Sequence, residues 1–103
     1  MKIKTEEDLK KLFKACMKFW GLERQLRMTQ EECAELIVAI SHALRRRKGS
    51  VEHLIEELAD AQLMIDQIIY EIGKHKIDEI RYKKANHIKN KLIEAGCKFD
   101  DEE

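Results

Sequence analysis

The segment that decides the fold is residues 50–72, SVEHLIEELADAQLMIDQIIYEI. Its apolar residues recur every three or four positions, which is the spacing of an amphipathic helix rather than of a strand. They are Leu54, Leu58, Ala61, Ile65, Ile68 and Ile72, with Ile55, Leu63 and Ile69 beside them. The second half of this helix is apolar on nearly every side, so it needs cover from more than one direction. We expect a second copy of the chain to supply part of that cover.

Two helices are predicted before this segment. The first starts after Thr5, where Asp8 three residues later matches a capping box, and Gly21 ends it. The second runs from about residue 23 to about residue 46, judged from its apolar period and the glycine that follows. Its expected apolar stripe consists of Leu26, Cys33, Ile37, Ile40 and Leu44. Ser50 is the predicted N-cap of the helix that comes next.

A fourth helix with a thinner apolar stripe is predicted between Gly73 and Gly96. The chain has no proline, which suits long helices. The sequence therefore predicts an all-α fold, with a four-helix bundle over residues 1–97 and an acidic, disordered tail over residues 98–103. A bundle of this size often completes its core by pairing, so we expect a homo-oligomer, either a dimer or a tetramer.

Charge and composition limit the expected partners. Twenty Lys or Arg residues balance twenty Asp or Glu residues, so no overall field draws the chain to nucleic acid or to a membrane. No run approaches the ~18 apolar residues of a membrane span, and the N-terminus lacks the apolar region of a signal peptide. Three cysteines without a CxxC spacing are expected to be free thiols, as in a cytoplasmic protein. The basic run Arg45-Arg46-Arg47-Lys48 is either a phosphate-binding patch or a solvated helix end.

Two acidic segments carry the chemical information, Glu31-Glu32-Cys33-Ala34-Glu35 and Glu56-Glu57-Leu58-Ala59-Asp60. In each segment two carboxylates stand at i and i+3, and side chains at that spacing leave one face of a helix. Like charges placed this way repel, so either water screens them or a bound cation compensates them. The two pairs are expected at levels about one helical turn apart, a gap that glutamate side chains and the waters of magnesium can bridge.

The position of Asp60 is the main argument for a bound cation. It stands within the segment LADAQLMI, residues 58–65, where the helix otherwise has a composition typical of burial. An unpaired carboxylate in a buried position is costly. A ligand set made only of oxygen suits Mg²⁺, with Mn²⁺ as a substitute, and does not suit zinc. From the residues alone, both a metal site and a solvated flank remain open.

At these residues the sequence resembles the MazG-like branch of the all-α nucleoside triphosphate pyrophosphohydrolase superfamily, and in particular its short phage-type members. The shared motif is EExxE followed by ExxD. Glu31, Glu32 and Glu35 match its first part, and Glu57 and Asp60 match its second part. The resemblance covers the second and third predicted helices and extends loosely over the rest of the chain. It implies a MazG-like four-helix bundle.

The resemblance also implies an activity, the release of pyrophosphate and a nucleoside monophosphate from a nucleoside triphosphate. Glu32, Glu35, Glu57 and Asp60 would bind Mg²⁺, and we assign Glu31 to orienting or deprotonating the attacking water. Basic and amide side chains on the last helix would hold phosphate and sugar, and this chain offers Lys83, Lys84, Asn86 and Lys89. The spacing departs from the commonest family form because Tyr82, rather than Lys, stands four residues before Asn86.

Two further residues have two interpretations each. Trp20 either stacks on a nucleotide base or anchors the end of the first helix in the core. Gln25 either hydrogen-bonds a base edge or is a surface glutamine. The function likewise has an alternative, a non-catalytic helical module that binds a metal, a nucleotide or a protein. The complete acidic set favours the enzyme, and we do not expect nucleic acid as a partner.

Overall fold

The computed structural model describes residues 1–99 as four helices. They are α1 (Glu6–Trp20), α2 (Leu22–Leu44), α3 (Ser50–Ile72) and α4 (Lys74–Glu94). No strand occurs within residues 1–99, so the all-α prediction is confirmed. Met1–Ile72, which contains α1 to α3, is one compact unit, and the chain from Gly73 onward is a second unit that contains α4. The acidic residues of the predicted tail, 100–103, lie outside the described residues.

α1 begins with the predicted capping box. The Thr5 hydroxyl accepts a hydrogen bond from the N–H of Asp8 at 3.0 Å, and the Asp8 carboxylate accepts one from the N–H of Thr5 at 3.2 Å. The N–H of Lys4 also donates to this carboxylate, and that bond is the main reason why the pKa of Asp8 lies below its ordinary value. α1 ends at Trp20 because Gly21 has a φ of 88°, which side chains with a Cβ rarely adopt.

Residues 45–49 form the turn between α2 and α3. Arg46 and Gly49 have positive φ values of 56° and 76° there. α3 starts at Ser50, and the N–H of His53 donates to the carbonyl of Gly49 at 3.2 Å. Because the carbonyl of the cap residue accepts the first helical bond, Gly49 is the cap, and the prediction of Ser50 is wrong by one residue. The whole basic run is exposed in this turn, which fits both a phosphate-binding patch and a solvated helix end.

α2 and α3 form an antiparallel hairpin, because Gln25 near the start of α2 contacts Gln67 near the end of α3. Small side chains are buried where the two helices pack, with Ala39 and Ala61 at 0% and 2% exposure. α1 packs against the same hairpin, since its Phe13 ring lies 6.0 Å from the ring of Tyr70 on α3. Phe13, Ala39 and Ala61 are the buried hydrophobic residues within residues 1–99, so the apolar core of the single chain is small.

The predicted apolar stripe of α2 does not face α3. Ile37 and Leu44 in this stripe are 67% and 79% exposed. The residues of α2 that turn toward α3 are instead Gln25, Glu32 and Ala39, which recur every two helical turns. The prediction was wrong because it ranked positions by apolarity, whereas this contact uses small and polar side chains.

α4 contains most of the described residues of the second unit. It carries seven Lys or Arg residues and three Asp or Glu residues. Exposed ion pairs join Lys74 to Asp78 at 3.8 Å and Lys76 to Glu79 at 3.7 Å, and such pairs add little stability. No helix in residues 1–99 combines the length and the apolarity that crossing a membrane requires. All three cysteines are free, as predicted.

Candidate metal centre

Three carboxylates from two helices meet in the α2–α3 hairpin. One oxygen from each of Glu32, Glu35 and Glu57 lies within 4.8 Å of the other two. Glu32 and Glu35 are one turn apart on α2, and Glu57 approaches them from α3. The structure thus brings together three of the four residues predicted as ligands, and we refer to these three residues as the carboxylate cluster.

Along the hairpin axis, Glu35 and Glu57 lie at more similar levels than the spacing of the two acidic segments suggested. Glu35 stands nine residues before the end of α2 at Leu44, and Glu57 stands seven residues after the start of α3 at Ser50. At ~1.5 Å per residue, their levels differ by about 3 Å rather than by a whole turn. The expected offset was larger because α3 was taken to begin at Val51, after the predicted cap Ser50, whereas it begins one residue earlier.

Burial within the carboxylate cluster leaves oxygens without partners. Glu57 is 8% exposed, and Glu32 is partly buried. Oε2 of each residue is buried and has no hydrogen-bond partner in the part of the chain that the structure describes. A buried carboxylate oxygen left unpaired is costly, and one cation would satisfy all three side chains. Because the donors are all oxygen, the residues fit a magnesium ion.

Burial and like charges act on the protons of these carboxylates. Burial raises the pKa of Glu32 above its ordinary value, and the charges of Glu35 and Asp60 raise it further. Burial also raises the pKa of Glu57, with Glu35 and Asp60 adding to the shift and His53 opposing it. Both groups therefore hold a proton more firmly than a carboxylate in water does. A divalent cation opposes this effect because it attracts the ionised form.

Asp60 is not the buried carboxylate that the sequence predicted. It is exposed, and the buried position belongs to Glu57, one turn earlier on α3. Leu58 in the same apolar segment is itself 48% exposed, so apolar neighbours did not identify the buried side of the helix. The charge of Asp60 nevertheless raises the pKa of both Glu32 and Glu57. Glu31, the predicted catalytic residue, is exposed next to Glu32.

Gln25 lies in the same helix contact and is buried, so its interpretation as a surface glutamine is wrong. It is 3% exposed, and its Nε2 donates to Oε1 of Gln67 at 2.6 Å. Its own Oε1 is buried without a hydrogen-bond partner in the described chain. Gln67 is equally buried and was not recognised from the sequence, although a polar residue in the most apolar half of α3 marks it. The pair lies about 10 Å along the axis of α2 from Glu32.

Trp20 ends α1 at the surface rather than in the core. It is 46% exposed, so the interpretation of this residue as a core anchor is wrong. The ring of Phe19 meets it edge-on with 5.8 Å between centroids, and the Arg24 guanidinium lies 4.7 Å from the centre of its ring. This cation–π contact holds the indole in place. Stacking of a nucleotide base on Trp20 stays a prediction.

The predicted substrate-binding residues of the last helix lie on α4. Lys83, Lys84 and Asn86 are exposed, and Lys89 is partly buried. The side-chain amide of Asn86 donates to the carbonyl of Tyr82 at 3.0 Å, one helical turn earlier. All of them belong to the second compact unit, whereas the carboxylate cluster belongs to the first. Their roles therefore stay predictions.

Comparisons with known proteins give a partial similarity. The chain is similar to cingulin of Canis lupus familiaris, with 39% identity over 64 residues, which are 62% of this chain. The match covers only 5% of the length of cingulin, so it does not assign the chain to a family. No family model matches the chain. No solved structure matches it either.

Proposed function

We propose that this protein is a Mg²⁺-dependent nucleotide pyrophosphohydrolase, which cleaves a (deoxy)nucleoside triphosphate to its monophosphate and pyrophosphate. The observation that carries the proposal is the carboxylate cluster, whose three oxygens lie within 4.8 Å of one another. Two of its members also have a buried oxygen without a partner. The resemblance of the same residues to the MazG-like motif is what suggests this particular reaction.

The proposal extends to features of the family bundle. Asp60 serves as a fourth carboxylate for the ion, and Mn²⁺ can replace Mg²⁺ because both prefer oxygen ligands. The four helices form a MazG-like bundle that is completed by dimerisation, with the tetramer as the larger alternative. The setting is cytoplasmic, as expected of a protein with free thiols.

Different residues of the chain have different roles in the proposed reaction. When bound, magnesium supplies positive charge against the phosphates and makes water more acidic. The carboxylate cluster holds the ion in place. Glu31 stands next to Glu32 without belonging to the cluster, so it is free to accept a proton from the attacking water.

The phosphates, the sugar and the base of the nucleotide are bound by basic, amide and aromatic side chains in this proposal. Lys83, Lys84 and Lys89 neutralise phosphate charge, and Asn86 donates a hydrogen bond to the sugar or the phosphate. The exposed indole of Trp20 stacks on the base, and Gln25 hydrogen-bonds its edge. These roles follow from the chemistry of each side chain and from the family resemblance.

The first prediction compares two adjacent glutamates on α3. Glu57→Gln should lower pyrophosphate release by about a hundredfold or more, the usual effect of losing one electrostatic group in an active site. Glu56→Gln should leave the rate nearly unchanged, because Glu56 is exposed and outside the carboxylate cluster. Canonical and modified nucleoside triphosphates are incubated with Mg²⁺ or with a chelator, and the monophosphate and pyrophosphate are separated by chromatography.

Calorimetry with Mg²⁺ alone separates the enzyme from a non-catalytic module. A module would bind the ion through the same carboxylates and release no pyrophosphate from any nucleotide of the panel. Equal affinity of Glu56→Gln and Glu57→Gln for Mg²⁺ in the calorimeter would contradict the metal site itself. Activity that persists in the chelator would contradict the requirement for magnesium.

A further inference from the structure

His53 is an exposed histidine on the same face of α3 as two acidic residues of the candidate site. His53, Glu57 and Asp60 stand at i, i+4 and i+7, a spacing that places three side chains on one face of a helix. Burial raises the pKa of Glu57, and the charge of His53 acts against that shift. The imidazole therefore lies close enough to the carboxylate cluster to act on it electrostatically.

The imidazole of His53 has no partner within residues 1–99. It takes part in none of their salt bridges or side-chain hydrogen bonds, and this includes Glu52 and Glu56, the acidic residues nearest to it in sequence. It also contributes no ligand atom to the carboxylate cluster. An imidazole N–H donates a hydrogen bond to an anion, and the protonated ring adds a positive charge. His53 is thus available to bind an anion beside the ion rather than the ion itself.

The charge of the hairpin changes sign between the carboxylate cluster and the turn. Residues 36–51 contain no Asp or Glu, although 20 of the 103 residues of the chain are acidic. The same stretch contains the basic run Arg45-Arg46-Arg47-Lys48, which is exposed in the turn. His53 lies ~6 Å from Glu57 along α3, on the side toward the turn, at ~1.5 Å per residue. It also belongs to the first turn of α3, where the partial positive charge of the helix favours an anion.

This order of charges matches a polyphosphate that is bound through a divalent ion. Carboxylates hold such an ion, and the ion in turn binds phosphate oxygens. The phosphates farther along the chain keep negative charge, which nearby positive groups neutralise. The nucleoside then lies in the opposite direction, toward Gln25, about 10 Å from Glu32 along α2.

We propose that His53 binds the β- and γ-phosphates of the nucleotide, which extend along α3 from the carboxylate cluster toward the turn. The basic run adds to the positive potential at that end of the hairpin. Hydrolysis breaks the bond between the α- and β-phosphates and adds water across it, so the β- and γ-phosphates leave together as pyrophosphate. The inference rests on the proposed function for the identity of the nucleotide, but the binding of pyrophosphate can be measured without hydrolysis.

Calorimetry of the full chain with Mg²⁺ and inorganic pyrophosphate tests the proposal directly. His53→Gln should weaken pyrophosphate binding by about tenfold, the usual effect of losing one hydrogen bond to a charged group. His53→Lys should keep most of the affinity, because lysine is also a positive donor. His75→Gln is the matched control, since it changes an exposed histidine of the second compact unit, and it should leave the affinity within about twofold.

Titration with Mg²⁺ alone separates phosphate binding from metal binding. His53→Gln should leave the affinity for Mg²⁺ within about twofold, because His53 contributes no ligand atom to the carboxylate cluster. Its melting temperature should stay close to that of the unmodified chain, since the side chain is exposed. A tenfold loss of Mg²⁺ affinity in His53→Gln would assign the residue to the metal site and overturn the proposal.

The hydrolysis assay gives a second reading. His53→Gln should raise KM for the triphosphate by about tenfold and change kcat much less, as expected of a group that binds substrate before and during the reaction. If the unmodified chain binds pyrophosphate through His53 but hydrolyses no nucleotide, the proposed function fails and the role of His53 is retained. If it hydrolyses nucleotides while His53→Gln and His75→Gln bind pyrophosphate equally, the role of His53 is overturned and the proposed function is retained. A chain that binds no pyrophosphate in Mg²⁺ also overturns the role of His53.

Discussion

Glu57 loses its proton at a cost in the absence of a cation. Its pKa is raised by burial and by the neighbouring Glu35 and Asp60, and that of Glu32 is raised in the same way. The folded chain therefore binds more protons than the unfolded chain between the ordinary value of 4.5 and the raised values. The stability contributed by these two groups is fully present below 4.5 and is lost as the pH rises through the raised pKa values.

The loss of stability with rising pH gives a prediction for thermal unfolding in the presence of a chelator. The melting temperature should fall as the pH is raised from 4.5, and the fall should be smaller in Glu57→Gln. Asp8 acts in the opposite direction, but only below its ordinary value of 3.8, so it does not affect this range. Mg²⁺ at neutral pH should restore the melting temperature of the unmodified chain and not that of the variant. An identical pH profile in both proteins would mean that Glu57 is not the titrating group.

The buried pair Gln25–Gln67 gives a prediction that is independent of the metal. Gln67→Ala should lower the free energy of unfolding by about 1–3 kcal/mol, because it leaves the buried amide of Gln25 without a partner. The double substitution of both glutamines by leucine should recover most of that loss, since two apolar groups of similar size leave nothing unpaired. Urea denaturation at a fixed protein concentration measures both. A double variant less stable than Gln67→Ala would show that the two glutamines stabilise the fold by more than the hydrogen bond between them.

For individual residues, the sequence indicated which carboxylates come together but not which of them is buried. The i, i+3 spacing depends only on helix geometry, and it selected Glu32, Glu35, Glu57 and Asp60, of which the structure brings the first three together. Burial depends on which side of α3 meets α2, and apolar neighbours pointed to Asp60 instead of Glu57. Gln67 was missed because its apolar surroundings mark it as an unusual polar residue but do not identify Gln25 as its partner.

Among the helices, α1 offers the simplest test of local stability. Thr5→Ala removes the hydroxyl that accepts the N–H of Asp8 and should cost about 1 kcal/mol. For a domain of this size, 1 kcal/mol lowers the melting temperature by about 4–8 °C. Thr5→Ser keeps an oxygen at the cap and should stay close to the unmodified chain. Calorimetry or circular dichroism measures the shift, and an unchanged Thr5→Ala would show that α1 frays without affecting the rest.

The helices themselves could be read from the sequence because capping residues and glycines mark their ends. The predicted start of α1 after Thr5 and its end at Gly21 agree with the structure. The predicted inner side of α2 was wrong, because the period of the apolar residues identifies a stripe but not its partner. Small residues such as Ala39 and Ala61 decide where two helices pack closely, and they contribute little to an apolar pattern.

For the molecule as a whole, exposed apolar side chains of the α2–α3 hairpin such as Ile37 are separate from the carboxylate cluster, whose Glu32 and Glu57 turn toward the contact between the two helices. Ile37→Glu and Glu57→Gln should therefore act independently, the first on association and the second on metal binding. Measuring both properties in both variants tests this separation. Coupling between them would indicate that the second copy also shapes the carboxylate cluster.

The exposed apolar side chains of the α2–α3 hairpin also have a consequence for each newly made chain. The chain displays large apolar side chains such as Ile37, Leu44 and Ile55 to the solvent, the feature that chaperones and proteases recognise in unfinished proteins. The proposed pairing of two copies would cover these side chains, so the abundance of the protein in a cell should depend steeply on its expression level.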